Sequence, residues 1–266
     1  KNPMNDLFSL SYQMERGQRH DRVACAAVEL WDKSGAGDLT ADALKTRLFG
    51  LGVKMSAWCG ERASGWTLSG PEANLEAGLT LLRARFRAPN VEKGTLEKLV
   101  AIWIGQHKDN KVEVGPIGNA QTQWAERGAE SSVLLELKDD ELRALNEGQL
   151  KAKLADFAAW QGRAAYVGSR DADSIVALLE EAGAVYKPAP SRPAVTYVKP
   201  PSPRVVFTHR DMAQSQVGLY AADGTVDPEK SVDYRFYSNY MGGGFSSVVF
   251  QEVREARSLA YSAWGG

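Results

Sequence analysis

Asn239-Tyr240-Met241-Gly242-Gly243-Gly244-Phe245-Ser246-Ser247, running on into Phe250-Gln251-Glu252-Val253-Arg254-Glu255-Ala256-Arg257-Ser258-Leu259-Ala260-Tyr261-Ser262, decides how this sequence is read. Asp233 to Tyr240 has helical character, Met241 to Gly244 is a glycine turn, and Phe245 to Arg257 is helical again. Three successive glycines between two helices suit a tight turn needing positive φ. They are not a phosphate loop, because no Lys-Ser/Thr follows and no parallel strand precedes them. Leu259 to Trp264 reads as a strand. Arg254 and Tyr261 stand seven residues apart: one is an always-charged fork of donors, the other a neutral hydroxyl. In a purely structural reading Arg254 pairs with Glu252 or Glu255, Tyr261 is a half-buried sheet residue and Arg257 is a solvated helix residue.

Upstream, Val205–Thr208 and Ser215–Ala221 read as strands. Before them the chain changes character. Between Lys187 and Pro203 lie Pro188, Pro190, Pro193, Pro200, Pro201 and Pro203. Proline fixes φ and lacks a donor, so residues 187–204 are expected to be an extended linker along a surface. It separates a first domain, 1–186, from a second, 205–266.

The first domain begins with alternation. Phe8, Leu10, Tyr12 and Met14 interleave with Ser9, Ser11 and Gln13, the pattern of a half-buried strand. A helix is expected from about Asp21 to Trp31, then a glycine-bearing turn at 34–37. A helix capped by Thr40 and stopped by Gly52 follows. Val53–Cys59 and Trp66–Ser69 form a hairpin. Pro71 is expected to open an amphipathic helix carrying Leu75, Leu79, Leu82 and Phe86, which Pro89 ends. Further helices are expected at 95–106, 120–126, 139–160 and 172–182, with a short strand at Arg163–Gly168. The acidic run Asp139-Asp140-Glu141 suits a helix N-terminal turn. Strands and long helices mix without a βαβα beat, which predicts an α+β fold of antiparallel sheet covered by helices.

Of 266 residues, 44% are apolar and 24% charged, the profile of a globular protein with a sizeable core. The net charge of −1 speaks against nucleic acid. No apolar run is long enough to span a membrane. Cys25 and Cys59 allow at most one disulfide, and are expected to be buried small hydrophobes that leave the redox compartment open. His20, His107 and His209 fall on three different elements, and His107 and His209 read as solvated. The seven tryptophans are scattered and read as core or cavity wall. A start at Lys1-Asn2-Pro3 and a stop just after Trp264 lead us to expect a piece of a longer parent.

The stretch from Asn239 resembles the pitrilysin/insulinase family of zinc peptidases, whose halves carry N-x-x-x-G-G-x-F-x-S-x-L-F-x-x-[IVL]-R-E-x-[RK]-x-L-[AG]-Y. It departs at Val248-Val249, where the family often has Arg-Leu. Asp211 to Leu219 resembles the opening strand of such a domain, and residues 6–104 follow the family's first-domain order. The resemblance implies the LuxS/MPP-like metallohydrolase fold: two α/β rolls, each an antiparallel sheet covered by helices, the second here truncated. In the family one half holds zinc through H-x-x-E-H plus a distal Glu, and the other half supplies substrate contacts. Two His at i and i+4 share a helical face as ligands, and the Glu serves as base. This chain has no H-x-x-E-H. Ala24-Cys25-Ala26-Ala27-Val28 falls opposite it, so no metal site and no cofactor are expected here, with zinc held in the catalytic half.

The resemblance therefore implies a non-catalytic half of a metalloendopeptidase. It binds and positions peptide for a zinc-bearing half in the same polypeptide or a partner subunit. Arg254 and Tyr261 match the Arg and Tyr that an inactive half points at the scissile region, donating to the substrate carbonyl or oxyanion. Gly242, Gly243, Gly244, Phe245 and Ser246 are the expected substrate-binding loop. The alternative is an interaction module that keeps the fold without taking part in proteolysis. A hydrolase with another nucleophile is disfavoured, since no Ser elbow or Cys/His pair is visible. The sequence itself leaves the location open, and the resemblance alone points to a periplasmic or otherwise exported one.

Overall fold

The computed structural model describes residues 5–180, 187, 188, 191, 193–199, 202–211, 213, 215–221 and 226–266. The chain divides into two compact units, residues 1–216 and 217–266.

The first unit is built on a four-stranded antiparallel sheet in the order β3-β4-β1-β6. In chain order its elements are β1 (Leu7–Met14), α1 (Ala24–Asp32), the two-residue strand β2 (Gly35–Ala36), α2 (Ala41–Gly50), β3 (Lys54–Cys59) and β4 (Ser64–Pro71). Then come α3 (Leu75–Arg87), the two-residue strand β5 (Pro89–Asn90), α4 (Thr95–Asn110), α5 (Val114–Arg127), α6 (Asp139–Arg143), α7 (Glu147–Ala158), β6 (Arg163–Val167) and α8 (Ala172–Leu179). The alternation in β1 sets the register: Leu10 lies opposite Leu68 on one side and Tyr166 on the other. Phe8, Leu10 and Met14 are buried on the core face, with Leu30 and Trp31 of α1, Leu75 and Leu79 of α3, and Leu150 and Leu154 of α7. Each fully buried Leu contributes about 2 kcal/mol of apolar transfer free energy. The helices lie where the sheet needs cover, and the α+β class stands.

Local chemistry accounts for most boundaries. Thr40 Oγ1 accepts from the Ala43 N–H at 3.2 Å and caps α2. Gly52, at φ +63°, carries the chain out of α2 into β3. The helix expected over 139–160 is divided, because Asn146 leaves the helical region and caps α7 through the Gln149 N–H at 2.9 Å. Pro71 does not open a helix. It is extended (ψ 133°), pairs with Leu7 and ends β4, so α3 starts at Leu75 after a short 3-10 turn.

Two further expectations are corrected. The described residues of Val205–Thr208 and Ser215–Ala221 belong to no strand, and neither does Leu259–Trp264. β-Patterning marks a segment that suits a pleated surface, but a strand exists only where a neighbour completes its ladder. The cysteines are not free hydrophobes. Cys25 of α1 and Cys59 of β3 form a disulfide, Cα–Cα 5.1 Å, and both residues are half-buried. Of the segment expected as a linker, residues 189, 190, 192, 200 and 201 lie outside the described residues, and several of the others bond to the first unit. His20 Nε2 contacts the Ser191 carbonyl (3.1 Å), Thr196 N–H donates to Glu130 (3.2 Å), Val198 N–H donates to the Glu126 carbonyl (2.7 Å), and Arg204 donates to the Ala125 carbonyl (2.7 Å).

The second unit holds α9 (Ser231–Gly242), a glycine turn, and a helical segment whose residues Phe250–Glu255 wind as a π-helix. The helix expected over 245–257 is thus shorter and wider than its pattern suggests.

Candidate functional site

Gly242, Gly243 and Gly244 end α9, and each tolerates no side chain for its own reason. A Cβ on Gly242 would stand 2.0 Å from the Gly265 nitrogen, and one on Gly243 would stand 2.6 Å from the Asn239 Cα. Gly244 has φ +146°, a region for glycine. Ser247 closes the turn: its hydroxyl donates to the Gly244 carbonyl at 2.7 Å and its N–H at 3.1 Å. Gln251 Nε2 reaches back to the Phe245 carbonyl at 2.6 Å. Phe245 is exposed, and so is Ser246.

Arg254, four residues after Phe250, lies over that ring, its Cζ 4.7 Å from the centroid. It also meets Tyr261, 5.3 Å from its centroid. Phe245 approaches Phe250 edge-on, centroids 5.1 Å apart. The two residues singled out from the sequence are therefore in contact, while the ring between turn and arginine, Phe250, carried no signal beyond its place in the motif. Arg254 also has an acidic neighbour, Glu255, at 3.7 Å. Arg257 is not merely solvated: it pairs with Glu252. Tyr261 is 86% exposed and not a half-buried sheet residue.

The helix opposite the family's zinc motif is α1. Ala24, Ala26, Ala27 and Val28 are buried in the core and carry no donor atom, and the Cys25 sulfur is consumed in the disulfide. These residues do not fit zinc, and no step through a metal is assigned to this chain. Among the described residues no three His, Cys, Asp or Glu side chains gather as a metal site. His107 is not solvated. It is half-buried, with Nδ1 2.7 Å from Asp139 and Nε2 3.9 Å from Glu136, and its hydrogen bond holds the Asp139 carboxyl below its usual range. It lines a cavity of about 980 Å3 beside α4, α5 and α6, together with Trp124, Leu134, Val206 and Arg210; none of the predicted site residues lies there. No helix among the described residues is long and apolar enough to cross a membrane.

The first unit is a helix-covered antiparallel sheet whose metal-position helix is apolar, and the second carries a glycine turn with a stacked arginine. Residues 163–266 match the family described as "Peptidase M16 inactive domain". Zinc proteases described as uncharacterized, from Mycobacterium bovis and Mycobacterium tuberculosis, are 40% identical over 67 residues, which is 24% of this chain and 14% of theirs. The crystal structure of a peptidase M16 inactive domain from Pseudomonas fluorescens is similar over 100% of this chain and 66% of that one, with a TM-score of 0.73 at 17% identity. The ferredoxin protease FusC, solved in complex with Arabidopsis ferredoxin, is similar over 73% of this chain and 22% of that one, TM-score 0.60 at 14% identity. The chain thus spans only a part of the relatives that it matches. The pitrilysin/insulinase resemblance is borne out in that residues 163–266 match the peptidase M16 inactive domain and the fold is similar to a solved one.

Proposed function

We propose that this chain binds extended polypeptide and positions it for a zinc-bearing half, in the same polypeptide or in a partner subunit. Residues 1–186 and 205–266 serve as its two rolls and 187–204 as the tether between them. Arg254 and Tyr261 donate to the substrate carbonyl near the scissile bond. The Gly242–Ser246 turn provides a surface that backbone approaches closely. The observation that carries this reading is the contact between Arg254 and Tyr261, seven residues apart in sequence and 5.3 Å apart from guanidinium to ring. A charged fork and an exposed neutral hydroxyl side by side suit a carbonyl that becomes an oxyanion. Support also comes from relatives named as zinc proteases, and from FusC, solved in complex with ferredoxin.

The test is anisotropy of fluorescein-labelled casein titrated with the chain. R254A removes a charge-assisted contact and is expected to weaken binding about tenfold or more; Y261F removes a neutral one and is expected to weaken it a few-fold. Equal affinities for the wild type and both variants would favour the interaction-module reading instead.

A further inference from the structure

An arginine on an exposed helical turn carries a large rotamer entropy, and meeting a carbonyl in one geometry requires that freedom to be restrained beforehand. An ion pair is one restraint, but it occupies the N–H donors that the substrate would need. Stacking is another. A ring lies against the face of the guanidinium plane, whereas the five N–H donors point outward in that plane. In the second unit Arg254 lies over rings, its Cζ 4.7 Å from the Phe250 centroid and 5.3 Å from that of Tyr261. Phe250 and Arg254 are one helical turn apart and share a face. Tyr261 joins Arg254 as a second ring, Phe245 buttresses Phe250 edge-on, and Gln251 fixes Phe245 through its carbonyl. The acidic contact of Arg254 to Glu255 is long at 3.7 Å, and Glu255 is about half exposed.

We propose that Phe250 is the positioning residue of this site, setting the direction of the Arg254 fork while leaving its donors free. This rests on the reading of Arg254 as a substrate-facing donor. Removing the ring while keeping apolar volume should then loosen the fork without touching the substrate.

The experiment compares wild type, F250L, F250W and R254A by two readouts. The first is the Nε–Hε NMR resonance of Arg254, assigned with R254K, which a stacked ring displaces by its ring current. The second is affinity for fluorescein-labelled casein. F250L is expected to move the resonance towards its unstacked position, with the Tyr261 ring still in place, and to weaken binding about two- to fivefold, the range of an exposed cation–π contact; F250W is expected to keep the wild-type behaviour of both. An unmoved resonance in F250L, or unchanged binding there while R254A binds weakly, overturns the proposal. Unchanged binding in R254A itself overturns the substrate-facing reading instead, and the resonance still reports on Phe250. If F250L does not fold, the conservative pair F250W and F250Y decides: both must keep the displaced resonance and the affinity.

The disulfide carries a second inference independently. Cys25 and Cys59 close a separation of 34 residues, and no free cysteine remains among the described residues. Structural disulfides form and persist in oxidising environments and are rare in the reducing cytosol. We infer that this chain matures in an oxidising compartment. Cells of the native host are quenched with acid and treated with a polyethylene-glycol maleimide, with and without prior reduction. No mobility shift without reduction, and a shift by two labels after it, is the expected result; labelling without reduction overturns the inference.

Discussion

Replacing both bridging cysteines, in the double variant C25S/C59S, isolates what the α1–β3 cross-link contributes. The bridge spans 34 residues. The chain-entropy relation for a loop of that length gives about 4 kcal/mol of restraint removed from the unfolded ensemble. For a domain of this size each kcal/mol moves the melting temperature by about 2–4 °C, so the variant should melt about 8–16 °C lower. The bridge ties the helix that packs under the core to an edge strand of the sheet, so the loss should appear as a lower temperature for the same cooperative transition. Circular dichroism melts of oxidised wild type, reduced wild type and the double variant form the assay. Reduction should reproduce the variant and leave the variant itself unaffected. A shift below about 3 °C, corresponding to roughly 1 kcal/mol, would refute the reasoning.

Three further predictions follow from the first unit. The Glu141 carboxylate is pushed down to about 2, first by hydrogen bonds from Arg22 (2.6 and 2.8 Å), then by the Lys138 N–H at 2.7 Å. A depressed carboxylate contributes stability that is present above its unfolded value near 4.5 and is lost as pH falls towards 2. E141Q should therefore flatten the fall of urea midpoints across that window and leave their slope at neutral pH unchanged. Arg85 is buried and lies on Trp31, 4.3 Å from the ring, donating to the Asp32 (2.6 Å) and Ser34 (2.8 Å) carbonyls; burial lowers its pKa to about 10. R85A leaves both carbonyls without that donor and should cost about 3 kcal/mol in chemical denaturation. Leu10→Ala, at a fully buried position in β1 between two paired strands, should cost about 2–5 kcal/mol, read from the same titration.

Much of the first unit was legible because its local signals agree. The alternation in β1, the hairpin of β3 and β4, the Thr40 cap and the Gly52 stop each point to the element observed. What escaped the pattern depends on partners distant in sequence. Arg85 occupies a core position that an apolar template assigns to Phe86, because Trp31 and two carbonyls receive its charge 51 to 54 residues away. Cys25 and Cys59 could be counted, but their approach depends on how α1 lies on β3. His107 and Asp139 meet only because α4 ends where α6 begins. In the second unit the motif marked Arg254 and Tyr261, and their contact follows from the turn after the helix. The role of Phe250 was hidden, since a phenylalanine four residues before an arginine looks the same whether it faces a core or a guanidinium. Val205–Thr208 and Ser215–Ala221 carry β-patterns without a ladder among the described residues, so propensity alone misjudged them.

Helix α1, at the position of the metal motif, offers apolar side chains and a sulfur already bonded to Cys59, so it is expected to hold no zinc. Elemental analysis of the purified chain, loaded with zinc and then dialysed, tests it most directly. No zinc is expected to be retained. One tightly held zinc per chain would contradict it, and would make His20, His107 and His209 the first residues to examine as ligands.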